Sequence, residues 1–390
     1  MAYIEDRLVH DADTHVMETA DWLEPYLDSN VGERVQALIA ADFGAQRTDE
    51  VATASKLQDD VQFRGKDSEE LMTRKNYRAI GANRREDRPR VLDLMGVASQ
   101  LVFPTYFNVL LERLEHSEDL EVLYATASAT NRAQVAFCSE DSRLLAVGYV
   151  PLADLERAIL AAQEAIEMGC KALLIPSACP KNHATSHIAL DGVWARASEA
   201  GVPVLFHVGL ADRVLPAAHA INGLPEVADF HGGDENFRSI SYMAISAGPM
   251  QALSLLILDG VLERFPALKV GVIELGAVWV PGFMRQLDSA FEAFARHEER
   301  LKTLSLKPSE YLTRQVRVTP YPTEPAGWII EQAGENVCMF STDYPHVEGG
   351  RNPYGRFLAS TQGLSSQACE RFFRHNFEDL MGSAIEGASS

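Results

Sequence analysis

Short apolar runs rich in Val, Ile, Leu and Phe recur along the chain, separated by longer stretches whose apolar residues repeat at helical spacing. This alternation predicts a parallel sheet with helices packed against it. Eight runs stand out: LVHDADTH near the N-terminus, SQLVFPT ending at Thr105, RLLAVGYVPL ending at Leu152, CKALLIP ending at Pro176, VPVLFHVG ending at Gly209, LKVGVIEL ending at Leu275, QVRVTP ending at Pro320 and VCMFSTDYP ending at Pro345. Eight strands close a (β/α)8 barrel, so the expected fold is an α/β TIM barrel forming one domain over residues 1–390. Stretches such as DLERAILAAQEAIEMG open on an acidic or hydroxyl residue and end at Gly, which are helix start and stop signals.

Two segments exceed an ordinary connecting loop. The first, about 30–88, follows strand 1 and is strongly charged; a solvated insertion and a functional one are equally good readings. The second, about 210–240, follows strand 5, is rich in Gly, Pro, Asp and His, and reads as a lid over the barrel mouth.

Composition narrows the function. Acidic residues exceed basic ones by 55 to 35, a net charge of −20, which is the wrong sign for neutralising nucleic-acid phosphates. No run approaches the ~18 uninterrupted apolar residues of a membrane span, and the N-terminus carries charges where a signal peptide is apolar. The expectation is a cytoplasmic protein with a small-molecule substrate, assembled as a homodimer, with neither nucleic acid nor membrane as partner. Five cysteines, odd in number and without a C-x-x-C pair, read as reduced core residues. A Walker lysine, a G-x-G-x-x-G loop and a G-x-S-x-G elbow are all absent, which removes support for nucleotide binding and serine nucleophile chemistry.

The ends of the predicted strands carry the chemistry. Asp13 and His15 lie two apart on strand 1 and so face one side, where a carboxylate and an imidazole can chelate a divalent metal. His207 ends an apolar run, as does Asp343, and neither is cheaply buried without a partner or a cation. All four fall on the face where a barrel builds its active site. Glu274 ends strand 6 and is a base, a ligand or a structural anchor. Weaker candidates for substrate contact are His346 at the same rim, His219, His231 and Asp234 in the second insertion, and Glu18, for which a helix N-terminus is an equally good account. Arg90 and Arg351 are further candidates for pairing a substrate carboxylate.

The stretches DADTHVMET, WARASEAGVPVLFHVG, LERFPALKVGVIELGAVWVP and FSTDYPHVEGG span nearly the whole chain. In that order they resemble the amidohydrolase superfamily, in the amidohydrolase-related branch that includes aminocarboxymuconate-semialdehyde decarboxylase and aromatic-acid decarboxylases. The resemblance implies one divalent metal ion, zinc or manganese, held by Asp13, His15, His207 and Asp343. Two departures stand out. The first strand has Asp13-x-His15 where many relatives have His-x-His, and this harder oxygen ligand tilts the expectation toward manganese. The sixth strand offers Glu274 where characterised relatives have a histidine. Because that histidine is absent, the first reading is hydrolysis by activated water with Asp343 as ligand and proton shuttle. The alternative is nonoxidative decarboxylation of an aromatic or unsaturated acid, and a third reading is a non-catalytic metal-binding barrel.

Overall fold

The computed structural model describes residues 2–209, 215–225 and 239–385. Seven strands form one wholly parallel sheet in chain order: β1 (His10–Val16), β2 (Ser99–Pro104), β3 (Leu144–Tyr149), β4 (Ala172–Leu174), β5 (Val204–Phe206), β6 (Val270–Val272) and β7 (Val316–Val318). Every residue of these strands is buried, as expected of a parallel sheet covered on both faces, and this is why they read as near-continuous apolar runs. The helix Leu155–Met168 shows the local logic. Asp154 accepts hydrogen bonds from Glu156 N and Arg157 N at its start, and Ala158, Ala162 and Ala165 make the buried stripe.

The eighth predicted strand needs correction, because Val337–Tyr344 does not form a regular strand. It nevertheless bonds to both edges of the sheet. Met339 N donates to Val318 O at 2.9 Å on one side, while Ala12 N reaches Phe340 O at 3.1 Å and His15 N reaches Tyr344 O at 2.7 Å on the other. The pairing is irregular for two reasons. The Asp11 carboxylate, rather than a backbone carbonyl, accepts from Thr342 N (2.8 Å) and Thr342 Oγ (2.6 Å), and Asp343 turns left-handed at φ 54°.

The first insertion is not a solvated appendage. Its long helix, Ser29–Gln58, kinks at Gly44 (φ 61°) and sends Val35, Ile39, Phe43 and Ala54 into the core together with Tyr77 and Ile80. Several of the charges that make the segment look solvated are buried as well, among them Arg47, Arg88 and the pair Arg74–Asp67 at 2.7 Å. Its final residues are bolted to the mouth of the barrel: Met17 N donates to Ala82 O (2.7 Å), Asn76 N to Pro345 O (2.9 Å), Tyr344 OH to Ile80 O (2.6 Å), and the wholly buried Arg88 guanidinium to His15 O (2.9 Å). Most of the second insertion, including His231 and Asp234, lies outside the described residues. Beyond it, Ser239–Leu258 is long and apolar enough by composition to cross a membrane; Leu253, Leu256 and Ile257 within it are fully buried in the core. Among the cysteines, Cys138, Cys170 and Cys338 are core residues, but Cys179 is exposed.

Candidate metal centre and substrate cavity

Where the strands end, five chemically active side chains converge. Asp13 Oδ1 lies 3.2 Å from His15 Nε2 and 3.4 Å from His207 Nε2. Glu274 Oε2 lies 3.2 Å from His207 Nε2 and 3.7 Å from His15 Nε2, and Asp343 Oδ1 is 3.6 Å from His15 Nε2. Asp13, His15, His207 and Glu274 offer ligand atoms within 4.8 Å of one another, and a second overlapping group joins His15 and Glu274 to Asp343 and His346. Glu274 therefore belongs to the same cluster as the four residues expected from the sequence. Its backbone is left-handed at φ 55°, as is that of Asp343, and each such conformation costs a non-glycine residue about 1–3 kcal/mol. Thr319 Oγ accepting from Glu274 N (2.9 Å) and Tyr321 OH donating to Glu274 O (2.6 Å) hold the turn in place.

Hydrogen bonds around the cluster determine which ring nitrogens face it. Thr105 OH donates to Val16 O (2.8 Å), so its oxygen is left to accept from His346 Nε2 (3.1 Å) and His15 Nδ1 (3.4 Å). His207 Nδ1 donates to Val208 O (3.1 Å). With their protons used in this way, His15 and His207 turn bare Nε2 lone pairs toward carboxylate oxygens. Burial, with neighbouring His346, His207 and Arg88 acting in the same sense, holds His15 well below the usual histidine range, so it stays neutral. His15 Nε2 and Asp343 Oδ2 are buried without a hydrogen-bond partner among the described residues. Lone pairs of buried groups aimed at one another are repulsive, and a cation at their centre removes the conflict. The donor set of imidazole nitrogens and carboxylate oxygens fits zinc or manganese.

His346 differs from the other two histidines. Its Nδ1 lies 2.9 Å from Asp343 Oδ1. Burial opposes its charge, but the Asp343 carboxylate prevails and pushes it up to about 9, while burial raises Asp343 against the pull of His346. The pair therefore holds a transferable proton at neutral pH.

A cavity of about 420 Å³ opens from the cluster, lined there by His15, His207, Glu274 and His346. Its remaining walls come largely from the inserted helix and from the helix Tyr106–Leu114 that follows β2, with Met17, Asn76, Val208, Val347 and Glu348 at the rim. Arg47 also lines it, with its guanidinium stacked 3.6 Å from the Tyr106 ring centre and 4.7 Å from that of Phe43.

The Amidohydrolase family profile matches residues 11–381, nearly the whole chain. The chain belongs to the Amidohydrolase family. Among solved structures it is similar to an amidohydrolase from Mycobacterium avium subsp. paratuberculosis K-10, with 23% identity over 97% of this chain and 100% of that one and a TM-score of 0.73. It also resembles 5-carboxyvanillate decarboxylase from Novosphingobium aromaticivorans, solved with manganese and 3-methoxy-4-hydroxy-5-nitrobenzoic acid (17% identity, 96% and 97% coverage, TM-score 0.63). A third is 2,6-dihydroxybenzoate decarboxylase from Rhizobium (14% identity, 96% and 98% coverage, TM-score 0.61). No curated protein matches. These likenesses are to the α/β barrel as a whole.

Other expected residues of this Amidohydrolase site sit elsewhere. Glu18 is fully buried and points away from the cavity, its carboxylate accepting from Thr105 N (2.8 Å) and Tyr106 N (3.1 Å) at the start of a helix. His219 is exposed and does not line the cavity; His231 is outside the described residues. Arg90 is paired with Asp67 at 3.1 Å, and neither it nor Arg351 lines the cavity. Sequence reasoning missed Thr105 and Arg47. Thr105 ends a predicted strand, and that position was its available signal; Arg47 is one charge among many on an insertion and gives none.

Proposed function

We propose that this protein is a metal-dependent carboxy-lyase that removes carbon dioxide from a carboxylated, largely apolar small molecule. The observation that carries this reading is the Asp343–His346 pair, 2.9 Å across, in which Asp343 sits in the cluster and His346 lines the cavity. Loss of carbon dioxide breaks a carbon–carbon bond and leaves its electron pair on carbon, so the one further requirement is a proton at that carbon. His346, which lines the cavity, holds that proton against Asp343 and is placed to pass it on. Thr105 keeps His346 oriented through Nε2. The apolar walls exclude water, and the Arg47 guanidinium adds positive charge to the cavity that favours a carboxylate substrate. Asp13, His15, His207 and Glu274, with Asp343 beside them, would hold one divalent ion. Such an ion supplies positive charge that polarises a bound oxygen. Three carboxylates favour manganese over zinc, and the manganese in the Novosphingobium decarboxylase supports the same choice.

Hydrolysis is the second reading, favoured by Asp343 Oδ2, which is buried with no hydrogen-bond partner among the described residues and could take a proton from an attacking water. The two separate in one experiment. Protein reconstituted with manganese or zinc is offered aromatic acids, lactones and amides, and carbon dioxide is followed separately from acid. Metal-dependent carbon dioxide release supports decarboxylation; acid release without it transfers the assignment to hydrolysis; neither product with any substrate removes both.

A further inference from the structure

The cavity is much larger than a single aromatic ring needs. A cavity of about 150 Å³ is enough to enclose one benzene molecule, whereas this one measures about 420 Å³. Setting aside roughly 100 Å³ at the cluster for three water-sized groups, at about 30 Å³ each, leaves space for two rings. The chemistry of the walls agrees with the volume. Asp42, Arg47 and Arg113 line the cavity from the inserted helix and the helix facing it, Asp42 and Arg113 paired with each other and Arg47 stacked on Phe43 and Tyr106, while Ile39 and Phe43 face a space shared with Tyr106, Phe107 and Leu110. Ile39, Phe43, Phe107 and Leu110 belong to one continuous hydrophobic core and Tyr106 packs against it, so this wall is a packed surface rather than a gap between loose loops. The wall is also held firmly. Glu18 clamps the first amides of the helix bearing Tyr106 and Leu110, and the guanidinium of Arg47 lies against the rings of Phe43 and Tyr106.

We propose that the substrate body is an elongated apolar group of two fused or linked rings, with the inserted helix, through Ile39 and Phe43, setting the size limit. This inference rests on the reading of the site as one for a carboxylated apolar molecule, and adds the class of body that the site selects. Its physical basis is that the second ring enters a preformed apolar space and is removed from water there, which favours the longer acid by about tenfold or more.

The test is calorimetric binding of benzoate, 2-naphthoate and 4-biphenylcarboxylate to the manganese-loaded chain, with the ratio of affinities as the readout. The two-ring acids are expected to bind at least tenfold more tightly than benzoate. Ile39→Trp fills the far space and is expected to bring that ratio close to one; Leu110→Trp, on the facing helix, does the same from the other wall, and circular dichroism and melting confirm that each variant folds. A ratio near one in the unmodified chain overturns the inference whether or not either variant folds, and so does a tenfold preference that survives both folded substitutions. Because binding is measured rather than turnover, an enzyme that binds the long acids selectively but releases no carbon dioxide would overturn the carboxy-lyase reading and leave the size limit intact.

Discussion

Glu18 gives the sharpest physical test of how the site is held. Its carboxylate sits at a helix N-terminus and accepts two backbone N–H bonds, both of which favour the charged form. Burial outweighs them and pushes the carboxyl from 4.5 up to about 7. The folded state therefore prefers the protonated acid. Its contribution to stability is complete below pH 4.5 and is lost as the pH climbs to about 7. At about 1.36 kcal/mol for each tenfold step, the loss is roughly 3 kcal/mol. With an unfolding entropy near 2.1 cal/mol/K per residue, this corresponds to roughly 4 °C in melting temperature for 390 residues. Glu18→Gln imitates the protonated acid and cannot ionise. It gives up one acceptor, at a cost of about 1 kcal/mol, so it is expected to melt below the parent at pH 4.5. At pH 8 the comparison should reverse by those same few degrees in favour of the variant. Scanning calorimetry at matched ionic strength from pH 4.5 to 8 measures this. Melting curves for the two proteins that run parallel across that range would show that Glu18 is ionised in the folded state and that the helix terminus, not burial, prevails.

Stripping the chain with a chelator is expected to lower its melting temperature, because Asp13, Glu274 and Asp343 are then left facing one another, and manganese should restore it in proportion to the logarithm of its concentration; a melting temperature indifferent to metal would refute the cluster as a metal centre. Asp343→Asn should lower turnover at least ~10²-fold, the usual loss for a proton-transfer group, and His346→Gln should lower it similarly while metal content measured by elemental analysis stays near that of the parent. Glu274→Gln should instead reduce metal content together with turnover, and normal metal loading would return Glu274 to the role of base. In Gly349→Ala the new Cβ would lie 2.0 Å from Thr342 O and 3.1 Å from Asp343 Cβ, so the turn carrying Asp343 must shift; the expected result is a folded protein with at least tenfold lower turnover, checked by kinetics beside circular dichroism.

Much of the fold was legible because burial on both faces leaves a parallel strand with little choice but Val, Leu, Ile and Phe, and such runs are plain in a linear pattern. The strand-end positions of Asp13, His15, His207, Glu274 and Asp343 followed from the same rule, since a polar residue closing an apolar run is costly without a partner. The two-residue period of a strand is also sufficient by itself to put Asp13 and His15 on one side. What the pattern could not convey was a strand whose backbone pairing is interrupted by a side chain. Asp11 takes the Thr342 N–H that a backbone carbonyl would accept and Asp343 turns left-handed, so the eighth run reads as a strand and closes the sheet without being a regular one.

The rest was decided by contacts between residues far apart in the chain. Glu274 had three open roles in the sequence, and its distance of 3.2 Å from His207 is a property of how β5 and β6 end side by side. Thr105 became the acceptor that orients His15 and His346 because β2 pairs with β1 and the eighth run lies on β1's other side. The inserted segment was hard to interpret for a related reason. Its charges dominate composition, while the buried stripe of Val35, Ile39 and Phe43 is short, interrupted by the kink at Gly44, and acquires its role only when packed over the barrel mouth. Periodicity is a local property of the chain and determined the strands, the helices and the chemically active residues at the strand ends. Charge proximity, histidine tautomer and cavity volume depend on distances between non-neighbouring residues, and those exist only once the barrel has closed.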